Sequence, residues 1–262
     1  MDLNLKNHVA LVQGASKGLG RGIAEALAAE GCNVVLTGRT AEPLQAAASA
    51  IAKTHGVIVK AIVSDSGDLA AIPVLLDTIK ADFGRLDVIV CNSGGPAPGG
   101  LKDLAPEQWL AAAQLLVAAP AALIRAALPT LQASPAPRVF FVTSTSTKDA
   151  VAGLLLSNTF RPAVVGMIKA LTAELAAERV ALHSIAPGRF DTDRLANVIN
   201  MQSKKFGKTP EAVKQGMIDS IPAGRLGDPL EMGRLVAFLS SPQSDYLRGG
   251  NWLVDGGMVR AI

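Results

Sequence analysis

The chain has little of what several specialised protein classes depend on. Its 262 residues include two cysteines, three histidines and one tyrosine. Cys32 and Cys91 sit far apart inside apolar runs, which fits buried thiols in a reducing compartment better than a disulfide or metal framework. The cytoplasm is the expected location. His8, His55 and His183 lack metal-ligand spacing, and His183 falls in an apolar run as a core residue, so no metal site is expected. Aromatic residues make up 4% of the chain, and the +3 formal charge comes from scattered basic residues. That combination offers neither a base-stacking platform nor a phosphate-backbone footprint, so nucleic acid is not an expected partner. Met1 to His8 has no apolar core or cleavage-like pattern, and no signal peptide is expected. The longest apolar stretch, Leu110 to Leu131, is broken by Gln114, Pro120, Arg125 and Pro129. It reads as a buried Ala/Leu-rich helix, not a membrane span, so no membrane partner is expected.

What is present is an alternation of short β-rich runs with longer helical ones. Strands are expected at Val9 to Val12, Asn33 to Thr37, Val57 to Val63, Val88 to Cys91, Val139 to Thr143, Ala181 to Ile185 and Trp252 to Val254. Helices are expected at Gly20 to Glu30, Ala41 to Thr54, Leu69 to Phe83, Pro106 to Leu131, Ser157 to Glu178 and Pro229 to Leu239. This pattern predicts an α/β fold: a single-domain, doubly wound Rossmann fold over residues 1–262, with a seven-stranded parallel sheet and helices on both faces. Asp193 to Ile221 is polar and without pattern beside its neighbours, and reads as a lid-like substrate segment.

The first βα junction is Gln13-Gly14-Ala15-Ser16-Lys17-Gly18-Leu19-Gly20. Its glycines permit a tight turn, close approach of backbone N–H groups to a pyrophosphate, and close packing of the following helix, whose N-terminus favours negative charge. Where an acid about twenty residues further on would hold a ribose 2′-hydroxyl, the second strand ends Thr37-Gly38-Arg39-Thr40. Arg39 and Lys17 supply cations there instead, and a guanidinium suits bidentate phosphate binding. NADP(H) is therefore expected rather than NAD(H); the alternative for either cation is simple solvation.

These residues resemble the short-chain dehydrogenase/reductase family, in the branch that includes 3-oxoacyl carrier-protein reductases. The glycine spacing at 14 to 20 is similar to that family's, as are Asp65, Asn92-Ser93-Gly94-Gly95, Ser144, Pro187-Gly188 with Thr192, and Asp255-Gly256-Gly257. The resemblance implies a cofactor lying against Gly14, Ser16, Lys17, Gly18, Leu19, Gly20, Arg39, Asp65, Ser66, Asn92, Ser93, Gly94, Arg161, Pro187, Gly188 and Thr192. It also implies a small-molecule carbonyl or alcohol substrate and a homotetramer, or a homodimer, built through the two long helices.

The same resemblance exposes a departure. The family relay uses a tyrosine to protonate the substrate oxygen, a lysine four residues later, a serine thirteen residues before the tyrosine, and a helix asparagine that holds a water. Counted from Gly166 and Pro187-Gly188, those positions fall on Ser157, Arg161 and Ser144, and the asparagine position, aligned on Trp109, falls on Leu116. A serine hydroxyl is a poor general acid, and an arginine stays charged, so it can clamp or polarise but not shuttle a proton. Lys148 is the proposed substitute donor, conditional on burial beside Arg161; a solvated loop lysine is the alternative. Pro120 has no N–H to donate to the Leu116 carbonyl, which predicts an irregular helix through 116 to 121. Tyr246 reads as a core or interface residue. The expected function is an NADP(H)-dependent oxidoreductase with Ser144, Lys148, Ser157 and Arg161 at an atypical catalytic site. The alternative is a dinucleotide-binding protein with little or no turnover, acting as a redox sensor or inactive oligomer partner.

Overall fold

In the computed structural model, which describes residues 1–261, seven strands form one parallel sheet: β1 (Val9–Val12), β2 (Asn33–Gly38), β3 (Val59–Val63), β4 (Val88–Cys91), β5 (Arg138–Val142), β6 (Ala181–Pro187) and β7 (Asn251–Val254). Their spatial order is β3-β2-β1-β4-β5-β6-β7. The chain winds outward from β1 to β3, then returns to β4 on the other side of β1. That reversal opens a crevice at the carboxyl ends of β1 and β4, the place where open α/β sheets bind ligands. β1, β4 and β5 are buried on both faces, which is why Val9–Val12, Val88–Cys91 and, after Arg138, Val139–Val142 read as continuous apolar runs instead of alternating ones.

Two apolar clusters cover the sheet. On one face, α1 (Gly18–Ala29), α2 (Ala41–His55) and α9 (Pro229–Ser240) deliver Ile23, Leu27, Leu44, Ile51, Met232 and Val236. The other face takes α3 (Ala71–Phe83), α5 (Ala119–Gln132) and α6 (Leu155–Glu174), through Leu75, Ile79, Leu123, Leu131, Val164 and Ile168. α1 and α9 touch at their backbones: a Cβ on Gly22 would lie 2.6 Å from Pro229, and one on Gly233 would lie 2.3 Å from the Gly22 carbonyl oxygen. Only glycine at both positions lets the helices close to that distance.

The segment expected as one long helix is interrupted. After α4 (Pro106–Ala113) comes a π-helical turn, Gln114–Ala118, in which the Ala119 N–H donates to the Gln114 carbonyl five residues back. α5 follows, with Pro120 in its first turn. The predicted irregularity beside Pro120 is therefore present. The stretch is not buried throughout, as its composition suggested. Leu116, Ala119, Leu123, Ile124, Ala127 and Leu131 face the core, while Leu110 is 73% exposed. By length and composition alone, Pro106–Gln132 could cross a membrane.

Residues 193–221 also differ from expectation. They form α7 (Asp193–Phe206) and α8 (Pro210–Asp219), which pack on each other through Ile199, Val213 and Met217. Thr192 and Thr209 cap these helices by accepting the Leu195 and Ala212 N–H groups, and Gly207, at φ +62°, ends α7. Tyr246 is fully exposed, so it is not a core residue; it lies on the approach to β7, in a segment held by its backbone and by Asp245. His183 is buried in β6, as read, and burial chiefly, with the charge of Arg138 next, draws its pKa down to about 4. Cys32 and Cys91 are buried free thiols, each pushed up to about 12 by desolvation.

Candidate active site

The glycine turn between β1 and α1 adopts the shape its sequence requires. Gly14 and Gly18 take φ +59° and +58°, values that cost other residues strain. Gly20 sits so close to the turn that a Cβ would lie 2.4 Å from the Gly14 carbonyl oxygen. From the end of β4, Asn92 Nδ2 donates to the Gln13 carbonyl at 3.0 Å and to that of Gly14 at 3.3 Å. The turn is thus held from the adjacent strand. Lys17 precedes α1 without any side-chain cap. The first N–H groups of α1 therefore have no side chain to satisfy them and can receive an anion.

The surrounding residues converge on this turn. Ser16 lies about a side chain's distance from Gly38 at the end of β2, where Gly38 approaches Leu44. Arg39 follows, exposed, with no hydrogen bond or ion pair among the described residues. Lys17 differs: it forms an ion pair with Asp193 at 2.9 Å, both side chains being about two-thirds exposed. Arg39 is thus the free cation at this locus, and Lys17 is shared with the start of α7. Leu19, in the first turn of α1, packs half-buried against the core. Thr192 lies against the turn, its Cγ2 3.5 Å from where a Gly18 Cβ would be. Asp65 is exposed and accepts the Gly67 N–H at 2.9 Å, and the neighbouring Ser66 and Ser93 line a small cavity that also meets Arg161. Gly94 is exposed, and its carbonyl accepts a 3.2 Å bond from Ser93 Oγ. Pro187 ends β6, and Gly188 N–H donates to Val254 at 2.9 Å, packed so closely on Asp255 that a Cβ would lie 2.7 Å from its Cα.

The second half of the site is built by β5, the turn after it and the start of α6. Ser144 is half-buried, and its Oγ accepts the Ser146 N–H at 3.1 Å, capping the short turn Thr145–Thr147. Ser157 is buried, its Oγ 3.1 Å from Ser146 Oγ. One turn further on, Arg161 is 9% exposed, and its Nη1 donates to the Val142 carbonyl at 2.5 Å. Its Nε is buried without a partner. Burial, and then the charge of Arg194, draw its pKa down to about 10. Ser144, Ser157 and Arg161 thus lie together around the ends of β5 and α6. Lys148 is exposed, and the burial beside Arg161 on which its donor role was conditional is absent. Its backbone N–H closes the short turn by donating to the Thr145 carbonyl at 2.9 Å.

Three side chains carry more than sequence reasoning gave them. Ser146 bridges to Ser157. Asn158 holds the loop before α6 through both its groups: Oδ1 accepts the Val151 N–H at 3.0 Å and Nδ2 donates to the Val151 carbonyl at 2.9 Å. Arg194, in the first turn of α7, lays its guanidinium over the Asn92–Gly95 turn, where a Cβ on Gly95 would come within 2.3 Å of Nη2. The signal for Arg194 was its place two residues after the capping Thr192. No group of three or more metal-ligating side chains occurs among the described residues.

Fold and site together define a Rossmann-type α/β protein with an anion-receptive glycine turn at the sheet's switch point. A family model described as enoyl-(acyl carrier protein) reductase matches residues 14–259. The chain belongs to this family of the short-chain dehydrogenase/reductase type. It is 32% identical over 255 residues to the oxidoreductase UcpA of Escherichia coli, covering 97% of this chain and 95% of the relative. To the 3-oxoacyl-[acyl-carrier-protein] reductase FabG of the same organism it is 29% identical over 256 residues, covering 98% and 99%. The L-sorbose reductase of Gluconobacter frateurii, solved with NADPH and L-sorbose, superposes with a TM-score of 0.95 at 26% identity, covering all of both chains.

Proposed function

We propose that the protein is an NADP(H)-dependent oxidoreductase that interconverts a carbonyl and an alcohol at an atypical site. The observation that carries this reading is the glycine turn beneath the uncapped N-terminus of α1, with Arg39 unpaired where a 2′-phosphate would stand. Both features fit the group: free N–H donors suit its pyrophosphate and a guanidinium suits its additional phosphate. The solved relative that binds NADPH supports the same choice. When bound, NADP(H) supplies or accepts the hydride. The chain's own residues then have to hold the substrate oxygen and manage its charge. Ser144 is the hydroxyl placed to orient that oxygen, and Ser157 stands where the family relay has tyrosine. Arg161 offers a fixed positive charge, which stabilises a developing oxyanion without transferring a proton. Lys148, on the exposed loop, is the side chain to test as donor: unchanged turnover in Lys148→Met removes it from the mechanism.

A second reading, a dinucleotide-binding protein with little turnover, is favoured by one observation. Both hydroxyls are locally engaged, Ser144 as a turn cap and Ser157 with Ser146. NADPH binding followed by nicotinamide fluorescence, then NADPH oxidation across a panel of carbonyl compounds, separates the two. Binding with turnover supports the oxidoreductase, binding without turnover the second reading, and absence of binding removes both.

The assembly we propose is a homotetramer, or a homodimer, supported by the exposed Leu110 on α4 and the fully exposed Tyr246. α7 and α8 are assigned as the substrate lid, and the two buried free thiols fit a cytoplasmic setting. A monomer at micromolar concentration in sedimentation would refute the assembly.

A further inference from the structure

We propose that Ser146 is a positioning residue that sets the direction of two hydroxyls at once, those of Ser144 and Ser157, so that each turns its proton outward to a substrate oxygen. The inference deepens the oxidoreductase reading and rests on it for the identity of that oxygen.

Ser146 and Ser157 are both buried, so bulk water does not settle where their protons point. Ser146 reaches its two neighbours through different groups. Its backbone N–H donates to Ser144 Oγ at 3.1 Å. That bond takes a lone pair of Ser144, whose own O–H has no acceptor among the described residues and is left to donate. The Ser146 side-chain Oγ lies 3.1 Å from Ser157 Oγ and 3.4 Å from the Ser157 carbonyl oxygen. The carbonyl lies within the hydrogen-bonded ladder of α6, so the nearer hydroxyl is the better acceptor for the Ser146 proton. Ser157, with a lone pair taken in its turn, is also left as a donor.

The other hydroxyls of α6 behave differently. Thr159 Oγ1 donates to the Leu155 carbonyl at 3.0 Å, and Thr172 Oγ1 to the Ile168 carbonyl at 2.7 Å. This is the usual bond of a helical hydroxyl to the carbonyl four residues earlier. Ser157 makes no such bond among the described residues; its partner is Ser146. Its proton is therefore not spent on its own helix.

The turn that carries Ser144 and Ser146 is itself held in place. Asn251 Nδ2, from β7, donates to Thr147 Oγ1 at 3.1 Å, and the Thr145 carbonyl accepts the Lys148 and Asp149 N–H groups at 2.9 and 3.0 Å. Ser146 thus acts from a fixed point. Two O–H donors set before a ligand arrives suit an oxygen that gains negative charge, which they stabilise without transferring a proton. That is the role left open where the family relay has tyrosine.

The test uses the full chain and two readouts. Neutron diffraction from perdeuterated crystals locates the hydroxyl deuterons directly. The Ser146 deuteron is expected on the line to Ser157 Oγ, with those of Ser144 and Ser157 turned away from Ser146. A Ser157 deuteron aimed at Ser146, or a Ser146 deuteron aimed at the Ser157 carbonyl, overturns the proposal. The second readout is steady-state kinetics with NADPH and a carbonyl compound that the wild-type protein reduces. Ser146→Ala keeps the backbone N–H that holds Ser144 and frees only Ser157, so kcat should fall about 5- to 10-fold, the equivalent of one net hydrogen bond, with KM within about twofold. Ser157→Ala should fall by the same factor, and the double variant no further, because the two act as one unit. Losses that multiply in the double variant, or an effect of Ser146→Ala on KM alone, overturn the proposal. Wild-type kcat in Ser146→Ala removes this inference and leaves the oxidoreductase reading standing. If no carbonyl is reduced, the oxidoreductase reading falls and takes with it the substrate oxygen on which this inference depends.

Discussion

Two buried arginines show how differently one residue type can be used in one fold. Arg138 opens β5, is wholly buried, and spends every nitrogen: Nε on the Leu239 carbonyl, Nη1 on Pro137, and Nη2 on Ser241 and Asp245, at 3.2 to 3.4 Å. It ties β5 to the end of α9 and to the segment leading to β7. Arg161, on α6, is nearly as buried but makes one hydrogen bond and has no acid nearby. Burial lowers the pKa of both, but for Arg138 the charge of Asp245 works against the shift, while for Arg161 the next contributor, Arg194, adds to it. A cation satisfied by its own chain holds structure together. One left unsatisfied stores a cost that a ligand can relieve, and such arrangements cluster at functional sites.

The contrast can be broken at either end. Arg138→Ala leaves Asp245 to Arg248 but strands the Leu239, Pro137 and Ser241 carbonyls and empties the buried volume of the side chain, and should cost about 3–5 kcal/mol of unfolding free energy; urea denaturation measures it. A loss below about 1 kcal/mol would show that Arg138 is no keystone. Arg161→Met should cost far less. Exchanging a buried charge for an apolar side chain ranges from neutral to stabilising by about 4 kcal/mol, less about 1 kcal/mol for the Val142 carbonyl left without its donor. The variant should therefore fall between about 1 kcal/mol below wild type and about 3 kcal/mol above it, well short of the Arg138 loss.

Proton linkage sharpens the same point. Folding lowers the Arg161 pKa to about 10, so the unfolded chain holds that proton more tightly than the native one. Wild-type stability relative to Arg161→Met should then rise as pH passes through 10, by less than about 1 kcal/mol at roughly pH 10.5. A difference that stays flat or falls between pH 8 and that point would mean that Arg161 is compensated after all. The exposed Lys17–Asp193 pair is the control: Asp193→Asn should change stability by no more than about 0.5 kcal/mol, because solvated ion pairs contribute little. Its effect should appear instead in NADPH affinity, with Lys17 released to the cofactor.

Much of this was legible before the structure, and the gaps have physical causes. Strands β1, β4 and β5 are continuous apolar runs because both faces are covered, and Gly14, Gly18 and Gly20 are where backbone geometry admits little else. Pro120 announced the irregular helix correctly, since a missing N–H is a local fact. α7 and α8 were missed because three residues, Ile199, Val213 and Met217, form their shared buried contact, too thin a stripe to rise above polar neighbours; Thr192, Thr209 and Pro210 were the signals to weigh. The exposure of Lys148 and Tyr246 depends on how a short turn leaves the sheet, and residue spacing does not encode that. Ser157 and Arg161 were placed on one helix face correctly, but whether a buried guanidinium finds an acid depends on side chains distant in sequence, such as Arg194.

The decisive measurement is a urea titration of wild type and Arg161→Met, each with and without saturating NADPH. Arg161→Met should lose no more than about 1 kcal/mol alone, and wild type should gain more from NADPH than the variant does. A variant that loses several kcal/mol by itself, or one that NADPH stabilises equally, would contradict the claim that Arg161 is a buried cation completed by its ligand.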